Sequence, residues 1–341
     1  MNVAIYGAGA MGTILGAYMT KAGYDIDLIN RNQAHVKALN DAGAKIIGTT
    51  EFTQPVTALT PDQMTKTYDI IFLMTKQKYN ADIVTFLNDY LAPTGILCTM
   101  QNGIPEPKIA KIIGKDRVAG ATMSWGATFH GKGISELTSK PSREALTFSV
   151  GKYGNVNQAL FDHIVTYLST MGDVTIEDNF IGARYAKLII NAAFSGLSVI
   201  TGQTFGTIAK NRTSRKVALD IMNECIDVAM KADIKIEPLQ GHDITKLMYY
   251  TNWFKQQLSL SILPIAMRKH KNIRSGMLRD LKRGRETEIL YINGIITDYG
   301  KQYNIPTPLN DLVVHLVKEI EQGDRNVQFD NIQLFKTPKI R

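Results

Sequence analysis

Along the first half of the chain, short apolar runs alternate with stretches in which apolar residues recur every three or four positions. The runs at residues 2–6, 26–30, 69–74, 95–100 and 117–119 read as strands, and the stretches at 12–22, 34–42, 80–90 and 104–113 as amphipathic helices. Strands separated by helices predict a parallel, doubly wound sheet, since parallel neighbours need a crossover and the helix supplies it. From 122 to 151 the pattern becomes an alternation rich in Gly, Ser and Thr. A strand expected at 145–150 extends the sheet antiparallel and closes the domain, followed by a helix at 157–171 and a strand at 173–177.

Beyond about residue 178 the strand signals stop. Helices are expected at 182–200, 215–232, 243–260 and 278–303. A last helix has marked ends: Thr307 as N-cap, Pro308 at the first helical position and Gly323 past the end. The tail after about residue 327 is polar and aperiodic. The organisation is an α/β domain of nucleotide-binding type over 1–177, an all-helical domain over 178–330 and a C-terminal tail over 331–341.

Composition narrows the class. A chain of 341 residues has room for two cores, and 44% hydrophobic with 21% charged residues is ordinary for a soluble globular protein. The net charge of +8 is scattered, with no basic run interleaved with aromatics, so it suits anionic small molecules rather than nucleic acid. Cys98 and Cys225 lie among apolar residues and read as reduced core thiols. The six histidines form no ligand spacing, so no metal site is expected. The apolar start lacks a basic leader region and reaches glycine at position 7, which makes it a strand rather than a signal peptide. With no apolar run of about 18 residues, a membrane span is not expected. These features together predict a cytoplasmic protein.

The chemistry begins at Gly7-Ala8-Gly9-Ala10-Met11-Gly12, which follows the first strand and opens the first helix. Gly7 permits the tight turn, Gly9 lets the backbone approach a pyrophosphate, and Gly12 allows close helix–strand packing. The helix N-terminus adds amide donors and a positive dipole end. At the end of the second strand, an acidic residue would accept from a ribose 2′-OH. Asn30 stands there, with Arg31 next to it. Arg31 either grips a 2′-phosphate, favouring NADP, or is an ordinary surface arginine. Thr75-Lys76 and Gln101-Asn102-Gly103 follow two further strands, where ligands bind in such sheets. Lys76 either reaches a cofactor phosphate or ribose or is a solvated loop lysine. Asn102 either holds the nicotinamide ribose or a substrate oxygen, or belongs to an Asn-Gly turn.

In the helical half, Lys187, Asn191 and Ser195 are spaced four apart in a segment otherwise rich in Ala, Leu, Ile, Val and Phe. That spacing stacks an ammonium, a carboxamide and a hydroxyl on one helical face. An unpartnered buried ammonium is costly, so the stripe faces a pocket, a carboxylate or water. Near the C-terminus, Glu288 is expected within a helix with Gly284 one turn before it, leaving room for a ligand or chain element. The alternative is an exposed helical glutamate. No nucleophile triad, paired-carboxylate signature or Walker loop competes.

Taken together, the glycine motif, Arg31, Lys76, Gln101-Asn102-Gly103, Lys187 with Asn191, and Thr287-Glu288-Ile289 with Tyr291-Ile292-Asn293-Gly294 resemble the ketopantoate reductase (2-dehydropantoate 2-reductase) family over nearly the whole chain. The resemblance implies an N-terminal Rossmann domain joined to a helical domain like that of 6-phosphogluconate dehydrogenase. It also implies roles. Lys187 is the catalytic general acid, Glu288 lies near the substrate hydroxyl and the lysine, and Asn191 contacts substrate. Asn102 sits at the nicotinamide–substrate junction, while Arg31 and Lys76 favour NADP. A serine that binds substrate in the family corresponds to Ser275.

Departures concern the substrate. The family's second asparagine, followed by proline, is replaced by Ser195-Gly196, and Gly276 interposes between Ser275 and Met277. The expected activity is NADPH-dependent reduction of a 2-oxo acid, foremost ketopantoate to (R)-pantoate for pantothenate and coenzyme A synthesis. One alternative is a D-2-hydroxyacid dehydrogenase acting on another branched or aromatic 2-oxo acid. Another is a non-catalytic NADP-binding or redox-sensing protein. The expected partner is a small-molecule substrate, not nucleic acid or a membrane. An apolar helix face running from Met248 towards Leu263 permits a homodimer.

Overall fold

The apolar runs at the start of the chain and after Thr67 become the centre of an eight-stranded sheet. The computed structural model describes residues 1–239 and 241–336, and falls into two compact units, Met1–Phe180 and Ile181–Arg341. Part of the tail expected over 331–341, residues 337–341, lies outside the described residues.

In the first unit the chain runs β1 (Val3–Tyr6), α1 (Ala10–Lys21), β2 (Asp27–Ile29), α2 (Gln33–Ala42), β3 (Ala44–Gly48), β4 (Phe52–Gln54), β5 (Thr57–Leu59) and β6 (Tyr68–Leu73). It continues through α3 (Asn80–Asn88), β7 (Leu91–Thr99), α4 (Glu106–Ile113), β8 (Val118–Met123), β9 (Ala127–Gly131), β10 (Ile134–Leu137), β11 (Phe148–Lys152), α5 (Gln158–Ser169) and β12 (Val174–Ile176). The main sheet has the order β12-β11-β8-β7-β6-β1-β2-β5. It is parallel from β5 through β8, and β11 pairs antiparallel to β8, as the change of pattern after 122 predicts.

Both faces of this sheet are covered, which is why its strands are nearly continuous apolar runs. Ile5, Leu28, Ile70, Phe72 and Ile96 pack with Ile14 and Leu15 of α1 and Phe161 and Ile164 of α5. Ala4, Ile29, Ile71, Leu73 and Leu97 pack on the other face with Val84 and Leu87 of α3 and Ile109 of α4. From β1 the chain moves outward to β2 and β5 on one side, then crosses to β6 on the other side of β1. That reversal of direction makes the carboxyl ends of β1 and β6 the natural ligand crevice. A second sheet, β4-β3-β10-β9, was not anticipated. Its central parallel pair joins Lys45 to Ile134, far apart in sequence, from strands too short to announce themselves.

The second unit is helical: α6 (Phe180–Thr201, starting at the last residue of the first unit), α7 (Phe205–Lys210), α8 (Arg212–Lys231), α9 (Ile244–Met248), α10 (Trp253–Ala266), α11 (Gly276–Lys282), α12 (Asn293–Tyr303) and α13 (Pro308–Gln322). Three expectations need correction. The helix expected at 243–260 is two helices, because Asn223 takes Met248 O and Tyr250 N at the break while Asn252 caps α10. The helix expected at 278–303 is interrupted after α11, where Gly284 adopts φ +63°. The supposedly aperiodic tail forms a 3₁₀ turn at Phe329–Leu334, held where Asn331 Nδ2 donates to Ile200 O at 3.0 Å. Thr307 occupies the expected N-cap of α13, but its hydroxyl bonds Asp311. The cap is the Glu224 carboxylate from α8, which accepts the amides of Leu309 and Asn310 at 2.9 Å each. One side of α10 leaves Phe254, Leu258 and Ile265 exposed. Among the described residues no helix is long and apolar enough to cross a membrane.

Candidate functional site

The three glycines of the first loop differ in what constrains them. Gly7 has φ +104°, and a Cβ there would lie 2.8 Å from the Met74 and Thr75 backbones, so only glycine fits. A Cβ on Gly12 would sit 2.8 Å from Gly7 O and 3.1 Å from Ile5 Cγ2, where α1 packs on β1. Gly9 is different: a Cβ would meet only Gly7 O at 3.9 Å, so packing does not require it. Its bare backbone at the start of α1 fits the close approach of a phosphate, and no side chain caps that helix. Ala10 and Met11 lead into the helix, both partly exposed.

Between these glycines the Ala8 carbonyl accepts from three side chains: Asn30 Nδ2 at 2.7 Å, His35 Nε2 at 3.0 Å and Thr13 Oγ1 at 3.1 Å. Asn32 caps α2 by accepting the His35 amide, which sets His35 in the first turn. The Gly133 amide donates to His35 Nδ1 at 2.9 Å, so Nε2 carries the ring proton. Burial holds this imidazole below its ordinary pKa, against the bond to Ala8. Spacing did not reveal His35; its signal was a histidine on the buried face of an amphipathic helix directly after the second strand.

Asn30 occupies the place of the ribose-binding acid, yet its carboxamide is committed: Nδ2 to Ala8 O, and Oδ1 accepting the Asn32 amide at 2.9 Å. The exposed Arg31 lies beside it, with its guanidinium 5.3 Å from the Tyr79 ring centroid. Lys78 Nζ lies 4.8 Å from the same ring. Hydrogen bonding to Lys78, with the nearby Arg31 charge, pulls the Tyr79 hydroxyl below its usual pKa. The sequence reading missed Lys78 and Tyr79, although a second lysine and an aromatic stand two and three residues after Lys76. Lys76 itself is partly buried in the loop after β6.

A reciprocal amide pair ties this loop to the one after β7. Gln101 Nε2 donates to Asn80 Oδ1 at 2.7 Å and Thr75 O at 2.8 Å, while its Oε1 accepts from Asn80 Nδ2 at 2.9 Å. Gln77 Nε2 donates to the Asn102 carbonyl, and Asn102 is exposed ahead of Gly103 at φ +77°. The glycine loop, Arg31, Lys76 and Asn102 therefore all stand at carboxyl ends of β1, β2, β6 and β7.

In the helical unit, α6 buries Tyr185, Ala186, Leu188, Ile189, Ala192 and Ala193, while Lys187 and Asn191 are half-buried and Ser195 is 7% exposed. The stripe is thus neither a core seam nor an open solvent face. Burial pushes the Lys187 ammonium down to about 8, and the Arg184 charge one turn before it acts in the same direction. Glu288 is not within a helix, contrary to expectation. The left-handed Gly284 ends the preceding turn, and Glu288 caps a 3₁₀ turn, Ile289–Tyr291, in a half-buried position. The adjoining Thr287 amide donates to Glu321 Oε1 of α13 at 2.7 Å, which anchors the segment. Ser275 caps α11 by accepting the Met277 amide, and its own amide donates to Ser198 Oγ of α6 at 3.1 Å.

Comparison with known proteins identifies the family. A family model described as Ketopantoate reductase PanE/ApbA matches residues 3–149, and its C-terminal counterpart matches residues 179–321. The chain belongs to the ketopantoate reductase family. Its members are oxidoreductases acting on CH–OH groups. The 2-dehydropantoate 2-reductase of Pyrococcus horikoshii is 29% identical, covering 94% of this chain and 98% of its own. That of Lactococcus lactis subsp. lactis is 26% identical, with the same coverage of both chains. In fold, the chain is similar to a D-mandelate dehydrogenase solved with NADH and anilino(oxo)acetate (TM-score 0.80, 23% identity, 95% of this chain and 99% of that one). It is also similar to a PanE/ApbA family ketopantoate reductase from Ralstonia eutropha JMP134 (TM-score 0.78, 24% identity, 96% of this chain and 100% of that one).

The two glycines read from the sequence as departures, Gly196 and Gly276, differ in their surroundings. A Cβ on Gly196 would lie 2.3 Å from Val313 Cγ1, so the glycine serves the contact of α6 with α13. A proline there would meet the same wall. Gly276 is exposed, and a Cβ would meet only Arg279 Nη2 at 3.9 Å. Gly196 serves packing; Gly276 leaves space.

Proposed function

We propose that the chain reduces a 2-oxo acid to a 2-hydroxy acid with NADPH, and that its substrate is ketopantoate, giving (R)-pantoate for pantothenate and coenzyme A synthesis. The observation that carries this reading is Lys187, an ammonium brought down to about 8 on an apolar helix and sharing its face with Asn191 and Ser195. Relatives named 2-dehydropantoate 2-reductase, aligned over nearly the whole chain, support the choice of substrate.

When bound, the reduced nicotinamide supplies the hydride that adds to the ketone carbon. Lys187 stabilises the negative charge growing on the carbonyl oxygen and delivers the proton to it. A pKa near 8 keeps it protonated at neutral pH while making it a better acid than an ordinary lysine. Glu288 steadies the ammonium. Asn191 and Ser195 orient the substrate by hydrogen bonds. Ser275, whose oxygen accepts the Met277 amide, retains its O–H for a substrate oxygen. In the first unit, the backbone at Gly9 and the α1 amides would receive the pyrophosphate. Arg31, with Lys78 and Lys76, would receive the 2′-phosphate, and Asn102 the nicotinamide ribose.

A panel of 2-oxo acids assayed with NADPH and NADH tests this reading. Ketopantoate with NADPH should give the highest kcat/KM; failure to turn over any 2-oxo acid overturns it. The open space at Gly276 favours a second reading, a D-2-hydroxyacid dehydrogenase for a bulkier 2-oxo acid. A larger aliphatic or aromatic substrate outpacing ketopantoate would select it. We also read the exposed α10 residues Phe254, Leu258 and Ile265 as the contact of a homodimer. Sedimentation of Phe254→Glu beside the wild-type chain tests that, and a wild-type monomer sinks it.

A further inference from the structure

Asn293 is fully buried and opens α12, five residues after Glu288. Its Nδ2 donates twice, to Ala192 O of α6 at 3.1 Å and to Asn310 Oδ1 of α13 at 2.9 Å. Ala192 directly follows Asn191 and precedes Ser195 by three residues. We propose that Asn293 is a positioning residue, holding the segment that carries Glu288 against the turn of α6 that presents Lys187, Asn191 and Ser195. This rests on the catalytic reading of that face given above.

The orientation of the Asn293 amide is dictated from a distance. Glu224 uses both oxygens for the amides of Leu309 and Asn310, and Asn310 Nδ2 adds a third bond to Oε2 at 2.8 Å. That leaves Asn310 Oδ1 facing Asn293, and only a donor satisfies it. Asn293 must turn its NH₂ towards both acceptors. Aspartate, with the same shape, would set a carboxylate against two carbonyl oxygens. Ala192 O has a second lone pair to offer beyond its bond within the helix. Gly196 gives this contact room: a Cβ there would overlap Val313 Cγ1 at 2.3 Å and press on Asn293 Oδ1 at 3.3 Å, while only touching Ile289 Cδ1 at 3.7 Å. Gly196 thus chiefly clears Val313 of α13 and leaves the Asn293 side chain uncrowded beside α6.

Positioning and bulk stability separate experimentally. Asn293→Ala should lower kcat/KM for the 2-oxo acid by about tenfold or more, because small misplacements of reacting groups cost that much. NADPH affinity, read by fluorescence quenching, should stay within about twofold. Water admitted beside α6 should relax the burial of Lys187, so its titration should move up towards that of an ordinary lysine. ¹³C-dimethyl-lysine NMR reads that shift without substrate or cofactor. If Asn293→Ala does not fold, Gly196→Ala combined with Val313→Ala removes the overlap with Val313 while its new methyl group presses on Asn293 from the other side; it should give the same changes in the same direction. A folded variant with unchanged kcat/KM and unchanged Lys187 titration overturns the proposal. Should the wild-type chain reduce no 2-oxo acid, the functional reading fails, and the Lys187 titration alone still decides the role of Asn293.

Discussion

The imidazole of His35 donates from Nε2 to the carbonyl oxygen of Ala8, 3.0 Å away, at the centre of the glycine turn. Its Nδ1 accepts the amide of Gly133 from the second sheet, so one ring joins that sheet to the loop proposed to meet the cofactor. Removing it leaves the Ala8 carbonyl with two of its three side-chain donors. His35→Ala should weaken NADPH binding by about tenfold, the cost of a buried hydrogen bond of roughly 1–1.5 kcal/mol, with kcat nearly unchanged. Fluorescence titration checks this, and an unaltered Kd in a folded variant counts against it.

The same ring carries a pH signature. Burial lowers its folded pKa below the ordinary 6.5, so between the two values the unfolded chain binds the proton and the folded chain does not. The stability that neutral His35 contributes is therefore fully present above pH 6.5 and lost as pH falls through the folded pKa. Melting curves of wild type and His35→Gln should diverge least at low pH and most above pH 6.5. A gap that widens on acidification would contradict the assigned tautomer.

As the proposed proton donor, Lys187 should set the alkaline limit of activity. With its pKa at about 8, kcat/KM for reduction should be level below pH 7 and fall about tenfold per unit well above pH 8, as the ammonium is lost. Oxidation of the hydroxy acid needs the neutral amine and should rise over the same range. Lys187→Ala should lower kcat by roughly 10²–10⁴. A flat profile through pH 9 in wild type would remove Lys187 as the proton donor.

What the sequence disclosed follows from where each signal resides. Lys187, Asn191 and Ser195 were legible because a helix maps a spacing of four onto one face, and Gly7 and Gly12 because sterics leave no other residue. The Glu288 segment misled because Leu278, Leu281, Ile289 and Ile292 keep helical spacing across a break that depends on the φ of Gly284. The sheet joining β3 to β10 rests on pairing between distant short strands, which no local pattern encodes. The commitment of Asn30 to Ala8 is likewise a tertiary fact: its residue type suits either role.

Cofactor preference tests Arg31 and Lys78 together. Two cations flank Tyr79 beside the end of β2, and Asn30 has no acid to offer a ribose hydroxyl. Arg31→Ala should raise the Kd for NADPH about tenfold or more while leaving NADH within about twofold, since a charge-assisted bond contributes roughly 1.5–3 kcal/mol. Lys78→Ala should act in the same direction more weakly, because its ammonium lacks the bidentate fork. Equal losses for NADPH and NADH would place Arg31 away from the 2′-phosphate.

Glu224 couples the fold of the helical unit to pH. Burial pushes its carboxyl up to about 7, even though the amides of Leu309 and Asn310 favour the charged form. Its folded pKa thus lies above the unfolded value of 4.5, so its contribution is fully present below pH 4.5 and lost as pH rises through about 7. Glu224→Gln places an NH₂ group against the donors at the start of α13 and should cost about 1–3 kcal/mol in mildly acidic solution. The gap to wild type should narrow by pH 8, where wild type bears a desolvated charge that glutamine does not. Chemical denaturation of both chains at pH 5 and pH 8 decides it. A gap that grows with pH would mean that the ionised carboxylate is the better cap, with its three hydrogen bonds outweighing its burial.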